Sequence, residues 1–81
     1  MENEFILHFK SSHINEQDAL IKDLLLKGKM DVSLDWEQIS ESGDEAFYRI
    51  KISPSSLIQL KHKLDVQVDY ESLELFEYRS W

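Results

Sequence analysis

The sequence has no cysteine, one proline and two glycines among its 81 residues. Without cysteine the chain can build neither a disulfide framework nor a thiolate metal site, so a packed core has to hold the fold. Two glycines are too few for a phosphate-cradling loop of the G-x-G-x-x-G or P-loop type. Long apolar runs are also missing, and we therefore expect no transmembrane helix or signal peptide and a cytoplasmic protein.

The composition is that of a small folded domain. Hydrophobic residues make up 42% of the chain and nine residues are aromatic, which is too many for intrinsic disorder. We expect a single domain over residues 1–81, close to the size at which one core is just sufficient. Sixteen acids against nine Lys and Arg give a net charge of -7, and the cations form no cluster. We therefore expect no direct binding to nucleic acid or to a membrane.

The segment from Lys29 to Arg49 carries the most distinctive pattern. Apolar and polar residues alternate from Met30 to Trp36, which predicts a half-buried strand over about 30–39 with Trp36 in the core. Residues 40–44 have the composition of a hairpin turn. Six carboxylates and no cation lie between the two flanking basic residues: Asp31, Asp35, Glu37, Glu41, Asp44 and Glu45.

The remaining periodicities predict a β-α-β-β-α-β order. Alternation at 5–9 and at 46–52 predicts the first and third strands, and helical spacing predicts one helix from about Ile14 to Gly28. Ser53 and Pro54 are typical of a helix start, and Leu57, Leu60 and Leu64, with Ile58, form the apolar stripe of that second helix. Val66, Val68 and Tyr70 open a predicted fourth strand. Beyond Ser72 the apolar phase changes, which predicts either a bulge or a tight turn into a short fifth strand.

This order matches the ferredoxin-like split arrangement, an α+β fold with a four-stranded antiparallel sheet and two helices on one face. Its strand order, 4-1-3-2, predicts which side chains share the open face of the sheet. The centre holds Ile6, His8 and Lys10 beside Phe47, Arg49 and Lys51. One edge presents Asp31, Ser33, Asp35 and Glu37, and the other presents Gln67, Asp69 and Glu71.

Two interpretations of the acidic segment remain open. Cross-strand ion pairs and protection of an edge strand against aggregation explain part of it. A docking surface for a basic protein explains the surplus of carboxylates. For that surface we predict a contact set of Asp31, Asp35, Glu37, Glu41, Asp44, Glu45 and Phe47. Possible apolar anchors are Trp36, Phe47, Phe76, Tyr78 and Trp81, of which Phe47 and Trp81 are expected to be exposed.

Chemical sites find little support in the sequence. The three histidines share no ligand spacing on one face, so we predict no metal and no cofactor. The serines have strand-end and cap positions, and no carboxylate pair is predicted to lie in a dry cleft, so we expect no enzymatic activity. RNA-recognition modules share this topology, but they place aromatic residues on both central strands, where this chain has Phe47 and the imidazole of His8.

The leading hypothesis is a small acidic protein that binds and blocks a basic, nucleic-acid-binding surface on another protein. Immunity proteins that neutralise nuclease toxins and phage-encoded anti-CRISPR inhibitors have this general character, although the likeness is one of class and no motif carries it. We expect a monomer or a weak dimer. The alternatives are an ACT-like dimeric regulatory or ligand-binding domain and a structural subunit of a larger assembly.

Overall fold

A computed structural model describes residues 3–27 and 31–77. They form β1 (Asn3–Lys10), α1 (Ile14–Lys27), β2 (Ser33–Ile39), β3 (Glu45–Ile52), α2 (Pro54–Gln67) and β4 (Ser72–Glu77). The strands make one antiparallel sheet in the order β2-β3-β1-β4. The predicted α+β ferredoxin-like arrangement is thereby confirmed. The predicted helix end at Gly28, the residue Met30 and the anchors Tyr78 and Trp81 lie outside the described residues.

The core lies between one face of the sheet and the two helices. Every second residue of β1 and β3 is buried, and these side chains form one cluster with the apolar stripes of both helices. Because side chains alternate across a strand, the opposite parity forms an open sheet face that no described helix covers. The buried cluster consists of Phe5, Leu7, Phe9, Ile14, Ile21, Leu25, Ala46, Tyr48, Ile50, Ile52, Leu60, Leu64 and Val68.

Helix α2 begins as predicted and ends later than predicted. The Ser53 hydroxyl accepts a hydrogen bond from the Ser56 N–H at 3.4 Å, and Pro54 occupies the first turn. The helix continues through Gln67, and the Val68 N–H donates to the Leu64 carbonyl. The prediction of a strand from Val66 is therefore wrong.

The change of phase at residue 72 has a simple cause. The even-numbered apolar residues before it belong to the end of a helix and its connector, and the odd-numbered Leu73 and Leu75 belong to β4 itself. No fifth strand occurs within residues 31–77. The expected helical stripe also loses one member, because the Ile58 side chain is 74% exposed.

The β2–β3 hairpin is closed by the predicted turn. The Ser40 N–H donates to the Glu45 carbonyl at 2.9 Å, and the Gly43 N–H donates to the Ser40 carbonyl at 3.0 Å. Gly43 has a φ of 72°, a left-handed conformation that suits glycine. The Ser11 N–H donates to the Asp44 carbonyl at 2.9 Å, so the turn is fixed to the loop after β1.

The two described helices are 14 residues long, and within residues 3–27 and 31–77 no helix is long and apolar enough to cross a membrane.

Candidate functional site at the open sheet face

A β-bulge in β2 determines which side chains reach the open face. Leu34 pairs with Ile50 and faces the core, but the next pair joins Trp36 to Arg49, so Asp35 is the extra residue. An extra residue reverses the alternation beyond it. Trp36 therefore lies on the open face and is 41% exposed, and its predicted place in the core is wrong. The sequence carries one signal for this, because the apolar Ile39 is out of phase with Met30 to Trp36.

The same bulge turns Glu37 to the helix side of the sheet, contrary to the prediction that it lies on the open face. Its partner on β3 is the buried Tyr48. Glu37 Oε1 lies 2.9 Å from Lys22 Nζ, which also lies 3.2 Å from Asp18 Oδ2. The Tyr48 hydroxyl donates a hydrogen bond to Asp18 Oδ1. These four side chains link α1 to the sheet, so the role of Glu37 is structural.

The titration behaviour of this cluster follows from its contacts. The hydrogen bond that Lys22 donates to Glu37, followed by the one it donates to Asp18, raises the pKa of Lys22 above 10.5. Burial, with the hydrogen bond to Asp18 next in importance, raises the pKa of Tyr48 above 10.0. Both groups therefore keep their protons throughout the neutral range.

An apolar and aromatic row crosses the open face from edge to edge. Register pairs join Trp36 to Arg49, Arg49 to Ile6, and Ile6 to Phe76, so these four residues stand side by side on four strands. At about 4.8 Å per strand the row is about 14 Å wide between the outer backbones. Both ends are aromatic and exposed, at 41% for Trp36 and 49% for Phe76. We call these four residues the open-face row.

The neighbouring row contains a stacked ring pair. The rings of His8 and Phe47 are 4.4 Å apart between centroids and 3° from parallel. His8 Nε2 donates to Glu45 Oε1 at 3.2 Å, and His8 Nδ1 lies 3.7 Å from Glu74 Oε2. One ring face of Phe47 is therefore covered by the imidazole, and carboxylates stand on both sides of the pair.

Two cations on this face, Arg49 and Lys51, have acidic partners. Arg49 Nε lies 3.7 Å from Asp35 Oδ2, and Lys51 Nζ lies 3.6 Å from Glu4 Oε1. All four side chains are partly exposed, so each pair contributes about 0.2–1 kcal/mol to stability. These contacts support the sequence-based expectation of cross-strand ion pairing, and they leave little net positive charge for an anionic ligand.

The six predicted acids do not form one surface. Asp31 and Glu41 lie beyond opposite ends of β2, which at ~3.3 Å per residue puts them more than about 20 Å apart. A hydrogen bond from the Ser56 side chain is the main cause of a lowered pKa of Asp31, and a weaker one from Ser53 acts in the same direction, so Asp31 lies by the start of α2. The described structure brings Asp35, Glu45 and Phe47 to the open face and places the other four elsewhere.

Asp44 has a role inside the hairpin. Its carboxylate accepts hydrogen bonds from the Ser40 and Ser42 hydroxyls, which order the loop. The hydrogen bond from the Ser42 hydroxyl is the main cause of the lowered pKa of Asp44. Glu41 is exposed at the tip of the turn.

Acidic residues concentrate towards the other edge of the sheet. Within residues 64–77 the chain has five acids and no Lys or Arg. Asp69 and Glu71 form no ion pair in the described part of the chain, and Glu74 has the long contact to His8. The predicted edge set of Gln67, Asp69 and Glu71 is wrong for the sheet, because these residues precede β4. Ser72, Glu74 and Phe76 pair with open-face residues of β1 instead.

Metal and small-molecule sites are not evident in the described structure. Within residues 3–27 and 31–77 no three His, Asp or Glu side chains are grouped so that they could hold a metal ion. A shallow groove of about 320 Å³ runs along α1. Its lining comes from that helix alone: Asp18, Ala19, Lys22, Asp23, Leu26 and Lys27.

Comparison with known proteins gives no family: the chain matches no protein-family model, and no curated protein matches it significantly.

Proposed function

We propose that this protein is a binding module that docks its open sheet face on a basic surface of another protein. The observation that carries the proposal is the open-face row. Two exposed aromatic side chains, Trp36 and Phe76, stand at the ends of a row that holds Arg49 and Ile6 between them. Trp, Arg and Phe are enriched in the centres of protein interfaces, where a few anchors supply most of the binding energy.

The charge of the protein supports a basic partner. The net charge is -7. Glu74 lies in the row next to the open-face row and Glu45 lies one row further along the face, while Arg49 and Lys51 have carboxylate neighbours. Such a field accelerates encounter with a cationic surface and disfavours nucleic acid. Where the basic surface is one that binds nucleic acid, docking occludes it, which is the inhibitory role expected from the sequence, acting in the cytoplasm.

The test is a capture experiment with three immobilised proteins: the wild type, Trp36→Ala/Phe76→Ala, and the control Ile58→Ala/Val66→Ala. The control removes apolar side chains that are 74% and 71% exposed on α2, away from the open face. A basic protein from host or target cells should be retained at low salt by the wild type and the control. The double variant removes both anchors, and the loss of each anchor should weaken binding of the captured protein by about 2 kcal/mol, roughly 30-fold.

Equal retention by all three proteins would show that the open face is not the site. If no basic protein is recovered, the proposed function is wrong. Blocking is tested separately, by competition between this protein and a labelled oligonucleotide for the captured partner. Simultaneous binding would leave a binding module without an inhibitory role.

Two rival outcomes are measured with the purified protein. If light scattering at micromolar concentration shows a stable homodimer, the result favours the ACT-like regulatory domain. We do not prefer it, because two copies bring charges of -7 together. Binding of a single-stranded oligonucleotide, lost in Trp36→Ala/Phe76→Ala, would make the open face a nucleic-acid surface.

A further inference from the structure

The two edges of the sheet differ in their readiness to accept another strand. β2 is interrupted by the bulge at Asp35, and a bulge disrupts the regular row of outward N–H and C=O groups. β4 pairs with β1 in unbroken register, from Phe5 with Glu77 to Lys10 with Ser72. In the part of the chain that the structure describes, no strand lies beyond it.

β4 also lacks three of the usual protections of an exposed edge, although its register pair with the core-facing Phe5 places Glu77 on the helix side of the strand. Strands at edges commonly carry Lys, Pro, a bulge or an inward charge, which discourage pairing with other chains. The sequence of β4, SLELFE, has no Lys and no Pro, and its register shows no bulge. Carboxylates are therefore what selects among the chains that could pair with it.

The charge at this edge favours a cationic strand over a second copy. Asp69 and Glu71 lead into β4 without an ion pair among the described residues, and Glu74 stands on the open-face side. Pairing with another β4 would bring these acids together, which is destabilising when like charges lie opposite. A strand rich in Lys or Arg gains Coulomb attraction at the same positions.

The side chains of β4 specify the pattern of that strand. On the open-face side an added strand meets Glu74 and then the half-exposed ring of Phe76, which suits a cation at both positions, since Lys and Arg also bind aromatic faces. On the helix side it meets Leu73 and Leu75, which are packed partly against the core and suit aliphatic residues.

We propose that the free edge of β4 binds an extended cationic segment of a protein by strand addition, with cations and aliphatic residues alternating along the segment. Main-chain hydrogen bonds hold the segment, and its side chains confer the preference. This inference rests on the proposed function, because it takes the partner to be a basic protein. It adds how that partner is bound, namely by pairing of one of its segments with β4.

The test uses ¹⁵N-labelled protein and two synthetic decapeptides, one alternating Lys with Val and one alternating Glu with Val. Amide hydrogen exchange of the free protein identifies the alternate β4 amides that point away from β1. The Lys-Val peptide should protect those amides at least tenfold and leave the amides of β2 unchanged. The Glu-Val peptide should protect none.

A variant gives a second readout. Glu71→Lys/Glu74→Lys should abolish the protection of β4 by the Lys-Val peptide, and Glu16→Lys/Asp23→Lys, with the same change of charge on α1, should retain it. Shifts confined to side chains, protection along β2, or equal effects of both peptides would overturn strand addition. Such a failure is separable from failure of the docking proposal, because the capture experiment depends on Trp36 and Phe76 and uses no peptide.

Discussion

Deletion of Asp35 tests the bulge on which the open-face row depends. The residues before and after it already occupy consecutive positions along β3, because Leu34 pairs with Ile50 and Trp36 with Arg49. Removing the extra residue therefore leaves every described pair of β2 in place. We expect a regular strand with Trp36 still on the open face.

The expected cost is small and follows from one lost contact. Asp35 Oδ2 lies 3.7 Å from Arg49 Nε, and the two side chains are 36% and 32% exposed. An ion pair that is this open to solvent contributes about 0.2–1 kcal/mol. Loss of the bulge leaves no residue of β2 without its partner on β3. The free energy of unfolding should therefore fall by less than about 1 kcal/mol, as is usual for substitutions at the protein surface.

Deletion of Glu37 is the matched control, since it also shortens β2 by one residue. To keep Ile39 paired with Ala46, the strand has to absorb the deletion at the bulge, which turns Trp36 inward opposite Tyr48. An indole forced against a packed core costs about 1–3 kcal/mol. The contact between Glu37 and Lys22 is lost as well.

Both deletions are measured in a Trp81→Phe background, so that Trp36 is the single indole. Urea unfolding gives the free energies, and the emission maximum reports the surroundings of Trp36. The Asp35 deletion should retain the emission of an exposed indole, and the Glu37 deletion should shift it to the blue. A loss above about 2 kcal/mol for the Asp35 deletion, or a blue shift in it, would refute the bulge as the cause of the exposure of Trp36.

Three further predictions concern the fold. Gly43→Ala should lower the free energy of unfolding by about 1–2 kcal/mol, because φ is 72° and a Cβ would lie 3.1 Å from Asn15 Nδ2. Gly43→Asn makes the same contact, but asparagine tolerates the left-handed backbone. Urea unfolding should therefore show a smaller loss of stability for Gly43→Asn than for Gly43→Ala. Since burial raises the pKa of Tyr48 above 10.0, the unfolded state loses that proton first and stability falls above about pH 10, by at most about 1.4 kcal/mol per pH unit. Tyr48→Phe should lose that part of the slope in urea titrations at about pH 9 and 11, and an unchanged slope would contradict it. Leu60→Ala, in the core, should cost about 2–5 kcal/mol in thermal or urea unfolding, whereas Ile58→Ala, on the exposed side of α2, should cost less than about 0.5 kcal/mol.

The sequence predicts the order of elements and the core well, because alternation and helical spacing are strong over β1, β3 and α1. It is wrong where two periodicities coincide. Leu60, Leu64 and Val68 continue at intervals of four, so they extend the helix, but the alternation of Val66, Val68 and Tyr70 imitates a strand. Packing against the core decides in favour of the helix, since Leu60 and Leu64 are fully buried.

The candidate site is harder to predict, because one extra residue exchanges the two faces of a strand. Trp36 and Glu37 have the correct strand assignment and the wrong face, and Ile39 alone signals the change. The acidic segment is real, but its carboxylates are divided among α1, the start of α2, the hairpin and the open face. Such partners come from distant parts of the chain and are not visible in local spacing.

The central position of β1 also bears on how the protein is made. Its two neighbours in the sheet are β3 and β4, and Phe5 pairs with Ile50 and with Glu77. During synthesis β1 therefore leaves the ribosome long before either neighbour exists, with Phe5, Leu7 and Phe9 exposed. The next apolar surface to emerge is the stripe of α1, and the β2–β3 hairpin can form locally after it. Closure of the sheet, which requires the most distant contacts, comes last.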